Sequence, residues 1–503
     1  MTDSIVNGIV TGPPAPGHVL RLAELAGERT VDLTDLHAAV GRLAAALAAE
    51  GVRPGDRVGV LAANGLEWVL LDLAALRLKA VTAGFEPGKF DAGPDLLARY
   101  NLRVLFTDRP TGTHPDVRST AEVTALADRD GAVQPPFWER GEHTTIKFTS
   151  GSTGEPKGLA ASVGSIDSSL RAVQEMFAHS SGDDIFVFLP LSLLQQRYWV
   201  YSALAYGHDV TVSTYEAAFA AMRRVRPTVV MGVPGFFETA RRHVEGQAAR
   251  QGVTPAEAAR RLFGDRIRYL WTGSAPASPA VLDFFDSCEL PIFEGYGLNE
   301  TCIVSKNHPG ASRRGSVGRV LPGKQVLIDA DSVVSVRSDD PVDVRYTYAA
   351  PGESDRVFGP DGTVRTGDLG HFDDDGFLYI RGRADDVIVL GNGRKVIVRP
   401  IEEQLRTSPA IDQAVVFCPA QTHLVAVVSP AGGPVDPAVI GEHLVQTNAA
   451  LARDERIWRV VVARDGFSID NGLLTSQYKP RRPAIFEKYE TAILAKGDGV
   501  DVR

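Results

Sequence analysis

The segment Thr144–Gly158, with the sequence TTIKFTSGSTGEPKG, concentrates hydroxyl side chains and glycines ahead of Lys157. Glycine lets the backbone approach a ligand closely, while hydroxyl and amide groups donate hydrogen bonds and Lys157 adds a positive charge. Phosphate oxygens are bound by such groups. We therefore predict a phosphate-binding loop in which Lys157 neutralises charge and the remaining nucleotide contacts come from Thr149, Ser150, Gly151, Ser152, Thr153 and Gly154.

This loop differs from that of the common nucleoside triphosphatases, which requires G-x-x-x-x-G-K-[ST] at the start of a helix. Lys157 instead follows Pro156 and precedes Gly158. We expect a strand at Ile146–Phe148 before the loop and no helix after it, which favours a loop that closes on a polyphosphate and later releases it. A surface turn rich in glycine and serine is the alternative interpretation of this segment alone.

Two further segments combine glycine turns with groups that suit a nucleotide. In Trp271–Pro276 a strand runs into a turn, and Gly273, Ser274, Ala275 and Pro276 are predicted to contact the nucleotide. In Phe293–Thr301, glycines flank Tyr296, so that its ring could lie flat against a purine. Glu300 in the same segment offers a hard oxygen ligand for Mg²⁺. The other predicted nucleotide contacts of this segment are Glu294, Gly295, Gly297, Leu298 and Asn299.

Two more segments complete the set. In Arg365–Gly370, the carboxylate of Asp368 could accept hydrogen bonds from both hydroxyls of a ribose. In Ile380–Gly393, Ile380 and Arg383 are predicted nucleotide contacts, and Asp385 follows in an Ala-Asp-Asp sequence.

Strands and helices alternate through the elements that must carry these motifs. Leu36, Val40, Leu43 and Leu47 share one face of a helix that Thr34 and Asp35 could cap. Strands are expected at 57–61, 228–233 and 267–272, and Thr254–Glu257 has the sequence of a capping box. The apolar stretch 68–85 is interrupted by charged residues and is predicted to be an amphipathic helix and not a membrane span.

After about residue 310 the pattern changes to short strand-like segments. Asp373–Gly376 predicts a turn between two strands, and Asn392-Gly393 predicts a hairpin. A change of composition at Asp385 marks our predicted domain boundary.

Composition restricts the class of protein. The 503 residues are too many for one core, and 44% hydrophobic with 23% charged residues is typical of globular domains. The 53 basic and 62 acidic residues give a net charge of -9, which argues against nucleic-acid binding. Three widely spaced cysteines and the absence of a secretory signal favour a cytoplasmic location.

In their order along the chain, these five motifs resemble the adenylate-forming superfamily of acyl-CoA synthetases, luciferases and peptide-synthetase adenylation domains. The resemblance covers nearly the whole chain. It is greatest to the long-chain fatty acyl-CoA synthetase branch, through Leu189–Ser192 with Arg197 and through Asn471–Arg482 ahead of Glu487–Tyr489.

The resemblance implies an α/β fold of two domains. Residues 1–384 would form a large domain of two α/β sheets and a distorted β-barrel, which binds the nucleotide and the acyl group. Residues 385–503 would form a small, mobile α+β lid, with Asp385 as the hinge.

The resemblance also implies roles for residues. Lys479 would be the catalytic lysine of the lid, acting with Lys157 and Glu300, and Thr153 and Glu300 would hold Mg²⁺. After the lid rotates, Gly391, Arg394 and Lys395 would line the passage for CoA. Val233, Phe236 and Phe237 would line the acyl pocket, although two phenylalanines are as readily explained as core.

The implied reaction is that of an AMP-forming acyl-CoA ligase, which uses ATP, Mg²⁺ and CoA to activate a hydrophobic acid through an acyl-AMP. A carrier protein is a less favoured acceptor than CoA. Leu193, Asn299 and Pro480 depart from the pattern of the superfamily, and each concerns the first half-reaction. Two alternatives therefore stay open: a ligase that only converts supplied acyl-AMP to the thioester, and a nucleotide-binding protein without catalysis.

Overall fold

The computed structural model describes residues 4–110, 113–150, 156–433, 435–475, 478–495, 497 and 499–502. Its strands are β1 (Val19–Ala23), β2 (Glu28–Asp32), β3 (Arg57–Leu61), β4 (Val81–Phe85), β5 (Val104–Thr107), β6 (Val117–Ser119), β7 (His143–Ser150), β8 (Pro156–Ser162), β9 (Asp184–Val187), β10 (Asp209–Ser213), β11 (Val229–Gly232), β12 (Tyr269–Thr272), β13 (Ile292–Leu298), β14 (Cys302–Lys306), β15 (Arg319–Val320), β16 (Lys324–Ile328), β17 (Val333–Ser338), β18 (Thr363–Phe372), β19 (Leu378–Arg383), β20 (Val387–Val389), β21 (Lys395–Ile397), β22 (Ile411–Phe417), β23 (Leu424–Pro430), β24 (Ile457–Val462) and β25 (Gly499–Val502).

The α-helices alternate with these strands. They are α1 (Ile5–Thr11), α2 (Leu33–Ala49), α3 (Leu66–Leu78), α4 (Pro94–Tyr100), α5 (Glu122–Ala127), α6 (Val163–Phe177), α7 (Leu194–Tyr206), α8 (Ala218–Val225), α9 (Pro234–Gln251), α10 (Pro255–Phe263), α11 (Pro279–Ser287), α12 (Glu353–Val357), α13 (Val398–Leu405), α14 (Pro437–Ala450) and α15 (Arg482–Ile493).

Two large sheets carry most of the chain. A nine-stranded sheet has the order β15-β14-β13-β12-β11-β9-β10-β1-β2, and a six-stranded sheet has the order β6-β5-β3-β4-β7-β8. The central strands of both are parallel, and antiparallel strands lie at both edges of the nine-stranded sheet and at the β8 edge of the six-stranded sheet. Parallel strands require helical crossovers, which explains the repeated alternation seen in the sequence. The predicted α/β class is confirmed.

The later part of the chain forms smaller sheets. Strands β16 to β19 make a four-stranded antiparallel sheet where the resemblance implied a distorted barrel. Strands β20 and β21 form the hairpin predicted around Asn392-Gly393. Strands β22 to β25 form a separate four-stranded sheet that packs against α13, α14 and α15.

A buried ion pair joins elements of the two large sheets. Arg197 on α7 donates to Asp72 on α3 at 2.7 Å and to the hydroxyl of Thr145 on β7 at 2.9 Å. Tyr201 donates to the other oxygen of Asp72 at 2.5 Å. Because buried charges require partners, this network explains how a charged residue can lie inside α3. It also fixes β7, the strand that leads to the phosphate-binding segment.

The prediction of an amphipathic helix over 68–85 is wrong. The helix α3 ends at Leu78, and the remainder of the stretch is the parallel strand β4. Nearly all residues of α3 are buried, because the helix packs between other elements and has no solvent face. A helix that is apolar all round has no periodicity by which its end could be found.

Other local predictions are confirmed. The predicted face of α2 is buried, although the capping side chain is that of Asp32, which accepts a hydrogen bond from the Thr34 amide at 2.8 Å. The capping box of Thr254 and Glu257 is formed with proline at the start of α10. Among the described residues, no helix combines the length and the apolar character needed to span a membrane.

Candidate functional site

Asp368 lies at the centre of a cluster formed by three separate segments. Its Oδ2 accepts the hydroxyl hydrogen of Tyr296 at 2.6 Å, and its Oδ1 accepts a hydrogen bond from Arg383 Nη1 at 3.1 Å. Burial and the Asp368 charge raise the pKa of Tyr296, so its hydroxyl remains a donor. Sequence reasoning predicted that these three residues would meet, and the structure brings them together.

The local backbone fixes the orientation of Asp368. On β18 the amide of Asp368 donates to the hydroxyl of Thr366 at 3.0 Å, and that hydroxyl donates to the Val334 carbonyl at 2.6 Å. Arg383 on the paired strand β19 also donates to the Thr366 carbonyl at 2.6 Å. Ile380 and Tyr296 pack against the same small apolar cluster beneath the site. The carboxylate is therefore held by groups on three strands.

The turn after β12 is tied to β13. Glu294 is buried and accepts a hydrogen bond from the amide of Ala277 at 3.1 Å, just beyond the predicted contacts Gly273, Ser274, Ala275 and Pro276. Burial raises the pKa of Glu294. Ser274 has a φ of 68°, the left-handed conformation that a tight turn requires. The two motifs thus form one surface beside Tyr296.

Gly297 allows the close turn beyond Tyr296. A Cβ atom at Gly297 would lie 2.0 Å from the carbonyl oxygen of Cys302 on the paired strand β14, so only glycine fits there. The pairing of the strands shifts register between Tyr296 and Gly297. Leu298 donates its amide to the Thr301 hydroxyl at 3.0 Å, and Asn299 is exposed next to Glu300. This register shift is a β-bulge, and it lies between Tyr296 and the turn that carries Glu300.

Buried Lys306 supports this surface from below. Its ammonium donates to the carbonyls of Phe293 at 2.7 Å and Thr272 at 3.4 Å, and it lies 3.7 Å from the centre of the Trp271 ring. Burial lowers the pKa of Lys306 well below its usual value. One side chain thus joins the ends of β12 and β13.

Lys479 lies in the C-terminal part of the chain, within range of the Asp368 charge. The side chain is partly buried, and burial lowers its pKa while the charge of Asp368 opposes that shift. Arg383 and Arg399 lower the pKa further. The backbone of Lys479 is fixed by a hydrogen bond from the Thr475 amide to the Lys479 carbonyl at 2.8 Å. Lys479 is thus the lysine whose charge interacts with the Asp368 carboxylate.

Glu300 and Lys157 form a second cluster. The Tyr346 hydroxyl donates to Glu300 Oε1 at 2.7 Å, and the Lys157 ammonium lies 3.1 Å from Glu353 and 5.3 Å from the centre of the Tyr346 ring. Burial raises the pKa of Tyr346, and the Glu300 carboxylate adds to the shift. The two predicted charged residues therefore contact the same tyrosine, Glu300 at the hydroxyl and Lys157 over the ring.

The predicted phosphate-binding segment joins two antiparallel strands. Thr149 on β7 pairs with Lys157 on β8, and Ser150 pairs with Pro156. Helix α6 begins only at Val163 and Lys157 lies in β8, so no helix directly follows the loop, as expected. The predicted contacts Gly151, Ser152, Thr153 and Gly154 lie outside the described residues.

Glu300 suits a magnesium ion that is shared with substrate phosphates. One carboxylate together with phosphate oxygens is a common protein contribution to Mg²⁺ binding. Among the described residues, no group of three or more His, Cys, Asp or Glu side chains could hold a metal by itself. Glu300 could contribute one carboxylate ligand to such an ion.

The residues predicted for the acyl pocket lie in an aromatic cluster. Val233, Phe236 and Phe237 are buried, and Phe236 lies 4.4 Å from Phe188 and 5.1 Å from Phe219 between ring centres. Phe237 packs against Phe285 at 5.8 Å. Phe236 and Phe237 lie on α9, the helix that directly follows β11.

The predicted CoA-binding residues lie apart from the Asp368 cluster. Arg394 donates to Asp454 at 2.9 Å, and the Lys395 ammonium lies 3.1 Å from Asp331. The Gly391 amide donates to the Gln421 carbonyl at 2.8 Å. Asp385 is exposed in a short 3₁₀ turn, 3.7 Å from Arg383. The hairpin is therefore at the surface, and its basic side chains contact acidic residues.

Sequence reasoning missed Tyr346, Glu353 and Arg399. Tyr346 and Glu353 belong to the segment between β17 and β18, which folds back over β8, and Arg399 lies in the first turn of α13. These three residues do not form a recognisable sequence motif. Only the composition of the segment, which contains two tyrosines beside a Pro-Gly turn, offered a signal.

Comparisons with known proteins agree with these features. Residues 18–338 match a family described as AMP-binding enzyme, and residues 385–495 match one described as AMP-binding enzyme C-terminal domain. The long-chain-fatty-acid–CoA ligase FadD15 of Mycobacterium bovis is 28% identical over 88% of each chain. The carboxylic acid reductase of Mycobacterium tuberculosis is 28% identical, covering 92% of this chain and 46% of the reductase. The solved structure of o-succinylbenzoate CoA synthetase from Bacillus subtilis, in complex with its acyl-adenylate, has a TM-score of 0.78 and 21% identity over 99% of each chain.

Proposed function

Because the chain belongs to the AMP-binding enzyme family as an AMP-forming acid–thiol ligase, we propose that it activates a hydrophobic carboxylic acid with ATP and passes the acyl group to CoA. In the first step the carboxylate oxygen attacks the α-phosphorus, and the bond to pyrophosphate breaks. In the second step the thiol sulfur attacks the acyl carbonyl, AMP leaves, and the thiol proton is released.

The meeting of Asp368 with Tyr296 and Arg383, with Lys479 within range of the Asp368 charge, is the observation that carries this proposal. Asp368 would accept the ribose hydroxyls, and Tyr296 would lie against the base. Lys479 would neutralise charge between the carboxylate and the α-phosphate as the new bond forms. A carboxylate needs no protein nucleophile for this step, because positioning and charge stabilisation suffice.

Lys157 and Glu300 would act on the polyphosphate. The second cluster places both near one another through Tyr346, so a nucleotide that reached the Asp368 cluster with its ribose could extend toward them. Glu300 and Thr153 would hold Mg²⁺, which supplies charge neutralisation at the phosphates when bound. Lys157 would exchange its contact with Glu353 for phosphate oxygens.

The preference for a hydrophobic acid rests on the aromatic cluster after β11. Val233, Phe236 and Phe237 would border the acyl group, and the rings of Phe188 and Phe219 extend the same apolar surface. Aromatic side chains bury large apolar areas, so an acyl chain that carried a further charge would lose its hydration there without compensation.

We also propose that Asp385 is the hinge between residues 1–384 and 385–503. The strands β1 to β19 pair only among themselves in the described sheets, and β20 to β25 form sheets of their own. Rotation there would bring the surface hairpin with Gly391, Arg394 and Lys395 to the site, where the two basic side chains would meet the phosphates of CoA.

Two measurements test the proposal. Mass spectrometry of the protein incubated with ATP, Mg²⁺, CoA and a pool of carboxylic acids is expected to show a thioester of an apolar acid, and pyrophosphate release is expected to depend on that acid. The Asp368→Ala variant, which loses the predicted ribose contact, serves as a matched control. The absence of both acyl-AMP and thioester with every acid in the pool would contradict the proposal.

The same measurements separate the alternatives. Leu193 at the start of α7 is half-buried and cannot hydrogen-bond through its side chain, and Pro480 follows Lys479 directly. Thioester from supplied acyl-AMP without pyrophosphate release from any acid would support a ligase restricted to the second step. Calorimetric AMP binding without thioester from any acyl-AMP would support a nucleotide-binding protein without catalysis.

A further inference from the structure

Tyr478, which precedes Lys479, has an unusual backbone conformation. Its φ is 59°, in the left-handed region that residues with a side chain rarely adopt. The loop around it is closed by hydrogen bonds from the Tyr478 amide to the Thr475 carbonyl at 2.8 Å and from the Lys479 amide to the Thr475 hydroxyl at 3.1 Å. A strained conformation persists only where surrounding contacts determine it, so the contacts of Tyr478 require an explanation.

Those contacts lie on both sides of the proposed domain boundary, because Tyr478 packs against the C-terminal cluster that contains Leu473 and Ile485 and also touches the N-terminal part of the chain. The ring of Tyr478 is stacked on that of Tyr215, with centres 5.5 Å apart and planes inclined by 25°. It also lies against the start of α9, where a Cβ atom at Gly235 would lie 3.5 Å from the Tyr478 Cβ. The residue beside the proposed catalytic lysine therefore rests on two elements of the other proposed domain.

Tyr215 is itself held by the aromatic cluster of the proposed acyl pocket. Its ring lies 5.8 Å from Phe188 and 6.2 Å from Phe236 between centres. Burial raises the pKa of Tyr215, so its phenol stays neutral. Stacked neutral rings provide an apolar contact of defined geometry. The position of Lys479 is thus connected through two tyrosine rings to the wall of the acyl pocket.

We propose that Tyr215 is a positioning residue that holds Lys479 at Asp368 by stacking on Tyr478. This inference rests on the proposed function, because it assigns Tyr215 to the acyl-AMP-forming step. Thioester formation from acyl-AMP does not use Lys479 at Asp368 in that proposal, so Tyr215 should affect the two steps unequally. A residue needed only for folding would affect both.

The test compares Tyr215→Ala with Tyr215→Phe in the full chain. For Tyr215→Ala we expect pyrophosphate release to fall at least tenfold, while thioester formation from supplied acyl-AMP and CoA changes less than twofold. Tyr215→Phe keeps the stacked ring and loses only the hydroxyl that interacts with Tyr478, and it should stay within threefold of the wild type in both. Tyr206→Ala removes a half-buried tyrosine at the end of α7 and is the control for general destabilisation.

A second measurement does not depend on catalysis. Hydrogen exchange at the amides of Tyr478 and Lys479 is expected to be at least tenfold faster in Tyr215→Ala than in the wild type or Tyr206→Ala, because the stacked contact no longer holds their loop. Equal losses in both half-reactions, or unchanged exchange at these amides, would overturn the inference. A wild-type protein that activates no acid, with faster exchange in Tyr215→Ala, would contradict the proposed function and leave the positioning contact supported.

Discussion

Tyr296 donates its hydroxyl hydrogen to Asp368 at 2.6 Å, and so the proposed base-binding ring and the proposed ribose-binding carboxylate are directly connected. A ribose that uses both oxygens of Asp368 must replace this hydrogen bond. Nucleotide binding therefore exchanges one contact of Asp368 for another and does not begin from a free carboxylate.

Substitutions at Tyr296 should separate its ring from its hydroxyl. We expect Tyr296→Phe to keep the KM for ATP within about fivefold, because an intramolecular hydrogen bond contributes only about 1 kcal/mol net. Tyr296→Ala should raise that KM at least tenfold, because it removes both the stacking contact and the apolar area of the ring, together about 1.5 kcal/mol or more. Steady-state kinetics with varied ATP would measure both, and similar KM values for the two variants would contradict the assigned role of the ring.

Removal of Lys479 should affect mainly the first half-reaction. Loss of one charge-stabilising contact raises the activation free energy by about 3 kcal/mol, which lowers the rate on the order of a hundredfold. We expect this fall in pyrophosphate release for Lys479→Ala and less than a fivefold change in thioester formation from acyl-AMP. Lys488→Ala on α15 is the control, and a variant of Lys479 with unchanged pyrophosphate release would refute its assignment.

The rate of the first half-reaction should decline at alkaline pH. Only the protonated form of Lys479 carries the charge, and burial lowers its pKa from the usual 10.5. The rate should therefore begin to fall below pH 10.5 as the ammonium loses its proton. Pyrophosphate release between pH 7 and 10 would show this, whereas Lys479→Arg, which stays charged, should have a residual rate without that decline. The same decline in both proteins would assign it to another group.

The five motifs on which the site depends could be predicted because each contains its own chemistry. Glycine, hydroxyl and charged residues at short spacing indicated where Asp368, Tyr296 and Arg383 would lie, and the structure joins them. The alternation of strands and helices also followed from apolar periodicity and capping residues. These signals are local, and a single sequence displays them.

The failed and missing predictions involve contacts between distant segments. The end of α3 could not be predicted, because a helix buried on all sides has no polar face to mark it. The contact of Glu353 with Lys157 depends on how the segment after β17 folds over β8, which no spacing encodes. Tyr215 was likewise unremarkable until Tyr478 was found stacked on it.

The buried pair of Asp72 and Arg197 should be necessary for stability. Asp72→Ala leaves a buried guanidinium without its counter-charge, and we expect the free energy of unfolding to fall by about 3–5 kcal/mol. Asp95→Ala, at an exposed position on α4, should change it by less than about 0.5 kcal/mol. Denaturant unfolding would compare them. Recovery of most of the loss in an Asp72→Leu, Arg197→Met double variant is expected, and no loss in the single variant would contradict the interpretation.

His179 should make the folded protein less stable at mildly acidic pH. Burial lowers its pKa from 6.5 to about 3, and its ring shares a hydrogen bond of 2.6 Å with Tyr269. The unfolded chain then binds a proton that the folded chain excludes, so this contribution is complete above pH 6.5 and is lost progressively as the pH falls toward 3. At pH 5 the loss is about 2 kcal/mol.

The measurement is the unfolding midpoint at pH 7.5 and pH 5. His179→Phe keeps an aromatic ring beside Phe177 but cannot bind a proton, so its midpoint should change less between the two pH values than that of the wild type. Equal shifts in both proteins would show that other groups cause the dependence.

The contact between Lys395 and Asp331 has a consequence for how the hairpin could leave its present place. The two side chains are 66% and 74% exposed, and ion pairs in such surroundings contribute at most about 1 kcal/mol and are weakened by dissolved salt. Breaking this ion pair therefore costs little free energy, and higher ionic strength alone should weaken the contact between the hairpin and Asp331.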